Sequence, residues 1–288
     1  MRGESVLYSI FGVAIALTAL LILYPAYHAL ELSFQDLDSF ISKPVWIGLK
    51  NYTDVLAMPE FWAALGRGLI FSGVTIALQI VLGIGFAMLL DAAIPAKPLV
   101  RGLAVLPYLL PTIIVALTFQ WMLDSTVGVF TQGVRLFGYS YIPWGESAGA
   151  AMTVVILLSV WIWTPFVTLA FLAGLQAVPG ELYEAARVDG ATAWQRFWHI
   201  TLPQLRPVLT VVLLLRAIWM FNKFDIIWLT TRGGPLQGTE HLPILAYRKT
   251  FELYQVGQGA AVSAISFLIL SAFILVYFYF FPLDEKEA

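Results

Sequence analysis

No cysteine occurs anywhere in the 288 residues. That absence excludes disulfides, thiolate nucleophiles and cysteine-ligated metal sites. Charge is scarce as well. Only 12% of residues are Asp, Glu, Lys or Arg, about half the roughly 25% of ordinary soluble domains. The formal net charge of −2 comes without any basic cluster, so nucleic acid is not an expected partner. The three histidines, His28, His199 and His241, stand too far apart for metal-ligand spacing, and no metal site is expected. None of the six lysines follows a glycine, so the phosphate-binding loop G-x-x-x-x-G-K-[ST] is missing. No catalytic constellation is expected. A chain of this kind that moves a solute uphill takes its energy from a gradient or from a partner.

What is present is apolar. Hydrophobic residues make up 60% and aromatics 15%, with a mean hydropathy of +0.82, which puts the chain in the polytopic membrane class. A bilayer core of roughly 30 Å needs about 20 apolar helical residues. Six segments satisfy this, about 6–33, 69–90, 99–123, 151–177, 205–230 and 260–281. The runs are continuous rather than alternating, so they read as helices and not as barrel strands. The fold expected is all-α, with six transmembrane helices. The first run is too long for a signal-peptide core and no small-residue cleavage site follows it, so it is expected to be retained. Six spans put both termini on one side. Placing that side inside gives seven inner basic residues, Arg2, Lys97, Arg101, Arg187, Arg196, Arg206 and Lys286. The outer segments also hold seven, so charge bias does not decide orientation.

Between the fourth and fifth spans lies a polar segment, 178–204, containing "ELYEAARVDGATAWQRFWHITLP". Pro179 suits a helix start, and Asp189-Gly190 is a stop signal, glycine being free to adopt positive φ. Thr192 followed three residues later by Gln195 spells a capping box. Two short helices joined at Gly190 are expected, the second closed off by Pro203. Trp194, Phe197 and Trp198 form a stripe at i, i+3 and i+4. An amphipathic helix lying on the lipid surface explains those aromatics. It does not explain the small patch Ala185 and Ala186 flanked by Glu181 and Glu184.

Here a resemblance enters. Glu184, Ala185, Ala186, Gly190, Ile200, Leu202 and Pro203 fit E-A-A-x-x-x-G-x(9)-I-x-L-P at every specified position. This resembles the signature loop of inner-membrane permeases of ABC importers. The resemblance implies a cytoplasmic loop whose first helix docks on an ATP-hydrolysing subunit, with Glu181, Glu184, Ala185, Ala186, Asp189 and Gly190 as the coupling residues. Other stretches, "WIGLKNY" (46–52), "LPYLLPTIIVALTFQWML" (106–123) and "GQGAAVSAISFLIL" (257–270), resemble the carbohydrate-importer permeases of the maltose/glycerol-phosphate class. "FNKFDIIWLTTRGGP" (221–235) does so with an extra Thr in its L-T-x step. The likeness is to the first of the two paired sugar permeases. It implies one permease domain over 1–288, a second homologous permease, two copies of an ABC ATPase and an extracytoplasmic solute-binding protein. ATP and Mg would belong to the ATPase, with no cofactor bound by this chain. Both termini would be cytoplasmic, in a bacterial or archaeal inner membrane.

The fifth span carries Arg216, Lys223 and Asp225, each costing at least roughly 2.5–3.5 kcal/mol at the centre of a membrane helix. Helical spacing puts Arg216, Met220 and Lys223 on one face bordered by Trp219, with Asp225 and Asn222 pointing elsewhere. The fourth span offers Ser159, Ile162, Trp163 and Phe166. Aromatic platforms with donors and acceptors suit a sugar, and the two cations on one face suit an acidic one. Glycerol 3-phosphate or another polar solute is the alternative cargo. A more distant alternative is an ion-coupled secondary transporter, which leaves the E-A-A loop unexplained.

Overall fold

The computed structural model describes residues 2–37, 43–92 and 95–281; Lys286, counted above among the inner charges, lies outside them. In chain order the elements begin with α1 (Arg2–Leu32), β1 (Gln35–Asp36), β2 (Val45–Trp46), α2 (Lys50–Ala57) and α3 (Pro59–Asp91). Next come α4 (Lys97–Leu109), α5 (Thr112–Met122), α6 (Val129–Arg135), α7 (Ala148–Ala177) and α8 (Gly180–Val188). A segment made of α9 (Ala193–Arg196), a π turn (Phe197–Thr201) and α10 (Leu202–Gln204) leads to α11 (Arg206–Phe221) and α12 (Asp225–Thr231). The last helices are α13 (Leu242–Tyr247), extended by a π turn (Arg248–Glu252), and α14 (Val256–Phe280). The protein is thus mainly helical, as backbone groups deprived of water require. Among the described residues, the departure is the two-residue antiparallel pairing of β1 with β2.

Among the described residues, four helices are long and apolar enough to cross a membrane: Phe11–Leu32, Pro59–Asp91, Ala148–Ala177 and Val256–Phe280. Two bent pairs raise the number to as many as six: α4 with α5, at 89°, and Ala193–Gln204 with α11, at 65°. The stretch expected as one span over 99–123 is therefore broken. Pro111 forces the residue before it out of helical geometry, and Leu110 is extended at φ −76°, ψ 135°. Pro203 does not close the second short helix of the polar segment, contrary to the sequence expectation. It sits at the start of α10, where a missing N–H costs nothing, and the bend falls after it, at Leu205.

The chain divides into two compact units. The first, Met1–Ala64 with Leu242–Ile269, explains two of the motifs. Asn51 of "GLKNY" is buried, and its Nδ2 donates to the carbonyls of Ser33 (3.0 Å) and Gln35 (2.8 Å). Tyr52 shares a hydrogen bond of 2.6 Å with the Ser33 hydroxyl. Gly48, at φ +61°, makes the turn that brings these residues round. Gly257, from the other motif, packs against the same place: a Cβ there would collide with the Gln35 carbonyl and the Asn51 amide. Gly257→Ala is accordingly expected to destabilise the protein by about 1–3 kcal/mol, the usual cost of overpacking. A thermal midpoint unchanged from wild type would contradict that.

The second unit, Leu65–His241 with Leu270–Ala288, holds every site residue named above. Its core joins Ile84, Ala87 and Leu90 of α3 to Val167, Phe171 and Leu175 of α7 and Leu205 and Val212 at α11. Small residues let membrane helices approach. A Cβ on Gly83 would lie 2.6 Å from Val167 Cγ1, and one on Gly174 would lie 2.9 Å from Leu205 Cδ2. The loop after α5 is ordered locally. The Asp124 carboxylate accepts from the Thr126 hydroxyl and from the Thr126 and Val127 amides, which holds its pKa below the ordinary carboxylate value.

One spacing in this unit imitates a catalytic pattern without having its structure. Residues 145–149 read Gly-Glu-Ser-Ala-Gly, the G-x-S-x-G of a nucleophile elbow. That elbow is a strand-to-helix turn, and no strand precedes this one. Ser147 is instead the N-cap of α7, its Oγ accepting from the Ala150 amide.

Candidate functional site

The polar loop is built locally. Helix α8 ends where Gly190 turns left-handed at φ +77°. The Gly190 amide donates to the Arg187 carbonyl (3.1 Å) and the Ala191 amide to that of Ala186 (2.8 Å), satisfying carbonyls a helix end leaves open. The capping box is present in both directions: the Gln195 amide donates to Thr192 Oγ1 and the Thr192 amide to Gln195 Oε1. The Tyr183 and Thr201 hydroxyls, 3.0 Å apart, tie α8 to the π turn.

Helix α8 contains no buried residue. Glu181, Glu184, Ala185, Asp189 and Gly190 are exposed and Ala186 is half-buried. Beside the helix lies a groove of about 320 Å³, lined among others by Ala186, Asp189, Gly190, Gln195, Arg196 and His199. A short helix held at its ends, with no residue buried, presents a surface. Its chemistry is small residues with three carboxylates at the rim, suited to a cleft with a basic edge.

The second group of residues lies between α3, α7 and α11. Arg216 is almost fully buried, at 1% exposure. Its Nε donates to Gln79 Oε1 at 2.9 Å, and one terminal nitrogen lies 3.4 Å from Met220 Sδ. Gln79 in turn donates to the Ser159 carbonyl at 3.0 Å, so the amide bridges two helices to the guanidinium. The hydroxyls of Thr75 and Ser159 are buried with no hydrogen-bonding partner. Most other helix hydroxyls here, such as Thr164, Thr168 and Thr210, bond back to the carbonyl four residues earlier.

Lys223 lies in the gap between α11 and α12, and Asp225 opens α12. The Lys223 ammonium lies 3.1 Å from the Asp225 carboxylate and 3.9 Å from the centre of the Trp163 ring. The expectation that Asp225 points away from Lys223 is therefore corrected. Helical spacing was extended past Phe221, where α11 ends, and residues 222–224 turn the chain so that the two charges meet. Phe166 bridges Trp219 (ring centroids 5.3 Å) and Tyr108 (6.2 Å). Trp219, 42% exposed, also stands 5.8 Å from the Arg216 guanidinium carbon. Ile162 is buried in α7 beside Trp163.

Gln79 and Tyr108 escaped the sequence reading. Each carried a weak signal: a lone amide in an apolar run, and a tyrosine between Pro107 and a string of leucines. His241 turns out to be fully buried against Phe71, with ring centroids 6.1 Å apart. Burial pushes its pKa down to about 4 against the opposing pull of the Lys223 backbone, so the ring is neutral.

Residues 79–283 match the family described as "Binding-protein-dependent transport system inner membrane component". The trehalose/maltose transport system permease protein MalF of Thermococcus litoralis is 38% identical over 239 residues, 83% of this chain and 81% of its own. The sulfoquinovosyl glycerol transport system permease protein SmoG of Agrobacterium fabrum is 32% identical over 265 residues, 92% and 86% of the two chains. In structure, a chain of a bacterial ABC transporter that imports the acidic polysaccharide alginate superposes with a TM-score of 0.84. That match is 20% identical and covers 99% of this chain and 98% of the other, a likeness of fold.

Proposed function

We propose, from the premise that this chain belongs to the binding-protein-dependent transport system inner membrane component family, that it forms half of the translocation pathway of an ATP-driven importer for a sugar or oligosaccharide. As a member of that family it is a multi-pass inner-membrane subunit without catalysis of its own. In the proposed arrangement all six apolar segments cross the membrane, each bent pair counting as one, and the whole chain acts as a single permease domain. The loop 178–204 faces the cytoplasm between the fourth and fifth spans, and both termini lie on the same side.

The observation that carries this reading is α8, a helix with no buried residue bearing the E-A-A-x-x-x-G pattern. It would seat in a cleft of an ABC ATPase, two copies of which serve this chain and a second, homologous permease. ATP and Mg belong to that ATPase. Closure of the ATPase pair moves α8 and rocks the membrane helices between inward-open and outward-open states. An extracytoplasmic binding protein delivers the cargo. Relatives named for trehalose/maltose and for sulfoquinovosyl glycerol support a saccharide.

For the pathway, the reading uses Trp163, Phe166 and Trp219 as faces for sugar C–H groups, and Ser159, Gln79, Arg216, Lys223 and Asp225 as hydrogen-bonding groups. Ile162 and Met220 pack behind them. The Lys223 ammonium already covers the Trp163 ring, so a sugar stacking there displaces it, and an acidic group on the cargo favours that displacement. Trp163→Leu is expected to lower uptake of every cargo about tenfold, the upper range of one aromatic contact. Lys223→Gln is expected to lower uptake of acidic sugars more than of neutral ones. Equal loss for both would refute the charge argument.

The importer reading as a whole is tested by purifying the protein from its membrane and measuring ATP hydrolysis with sugar-loaded binding protein. Co-purification of a second permease and an ATPase, with sugar-stimulated turnover, is the expected result. A chain that purifies alone and transports on an ion gradient would overturn it.

A further inference from the structure

The helical segment 193–204 has two faces of different chemistry. Gln195, Arg196, His199 and Ile200 turn toward the groove beside α8. Trp194, Phe197 and Trp198 do not line that groove. They form their own cluster, with ring centroids 6.1, 5.6 and 5.3 Å apart. Phe197 sets the direction of this second face, because it packs on the core shared by α3, α7 and α11. The aromatic face is therefore turned toward the membrane bundle. The two tryptophans flanking Phe197 are nonetheless open, Trp194 at 69% and Trp198 at 48% exposure.

The angle of the segment says what meets those rings. It joins α11 at a 65° bend, so with α11 crossing the bilayer it lies nearer the membrane plane than the span axis. Tryptophan favours the headgroup level, where an amphipathic ring has one apolar and one wet side. A helix in that plane buries its aromatic face roughly 5–10 Å into the headgroup and acyl boundary. Arg206, exposed at the hinge, adds attraction for anionic headgroups. We infer that Trp194 and Trp198 are an interfacial lipid anchor of the coupling loop, seated in the leaflet on the side where α8 emerges.

This divides the loop between two occupants: α8 and its groove for a protein, the aromatic face of 193–204 for phospholipid. The anchor also gives a lever its fulcrum. With the segment held at the leaflet, a push on α8 reaches α11 through the bend at Leu205 instead of swinging the loop freely. The inference rests on the membrane placement proposed above and is independent of the cargo.

The absence of cysteine makes the test direct. Trp194→Cys, Trp198→Cys and Val188→Cys each place one spin label in this chain, Val188 being 88% exposed on α8. The complete transporter is reconstituted in vesicles of phosphatidylethanolamine and phosphatidylglycerol, with a transporter carrying the unsubstituted chain as the blank. Collision rates with oxygen and with a water-soluble nickel chelate are then compared. At positions 194 and 198, oxygen is expected to exceed the chelate several-fold, the signature of lipid. Access to both reagents being low there means a protein covers the tryptophans, and high chelate access means water does; either result overturns the inference. Two independent positions guard against one variant failing to assemble. Position 188 reports separately on the ATPase: low access to both reagents is expected, and free chelate access there would sink the docking of α8 without touching the lipid anchor.

Discussion

Gly190→Pro is expected to abolish uptake while leaving the protein inserted at normal abundance. Gly190 sits at φ +77°, and proline is locked near −65°, so the turn at the end of α8 cannot form. The substitution also removes the amide that donates to the Arg187 carbonyl. The fold outside the loop has little stake in this residue, since Gly190 is exposed and a Cβ there would meet nothing within 4 Å. The damage is confined to the direction in which α8 leaves the segment 193–204. ATP hydrolysis by the assembled transporter should then continue while losing its dependence on loaded binding protein. Gly190→Ala, which bears only the left-handed penalty of about 1–2 kcal/mol, is expected to retain partial coupling. Uptake of normal rate by the proline variant, measured in whole cells or vesicles, would show that the turn has no coupling role.

The second large effect concerns the bridge between α3 and α11. Gln79→Leu leaves the buried Arg216 without its oxygen partner, and loss of a hydrogen bond to a charged group costs about 1.5–3 kcal/mol. The variant is expected to lose stability by about that amount. Arg216→Met in the same background removes the stranded charge, so the double variant should recover part of the loss. Coupling of about 0.5–3 kcal/mol between the two positions is the corresponding cycle result. The readout is the thermal midpoint of the purified transporter for the wild type, both single variants and the pair. Strict additivity would mean that the guanidinium does not depend on Gln79.

Much of the loop was legible because its determinants lie within a few residues of one another. The glycine turn and the Thr192–Gln195 capping box arise from adjacent side chains and amides, and both appear as read. The membrane class follows from apolar runs, which hold whatever the runs later touch. The failures have equally definite causes. Helical periodicity placed Asp225 away from Lys223, yet periodicity carries no information across a break, and the chain turns at 222–224. Pro203 carries the signal of a helix stop, but a π turn ahead of it lets the helix resume with the proline in a first turn.

The sequence alone thus determined the apolar segments, the left-handed turn at Gly190 and the surface chemistry of α8, all properties of short stretches of chain. Only the tertiary structure decided which polar groups meet inside the membrane unit. Gln79 and Arg216 are 137 residues apart, and Trp163 lies on α7 whereas Lys223 lies in the turn after α11. Such pairs are selected by the geometry of helix packing, where most buried polar groups find a partner and no local pattern states which one it will be.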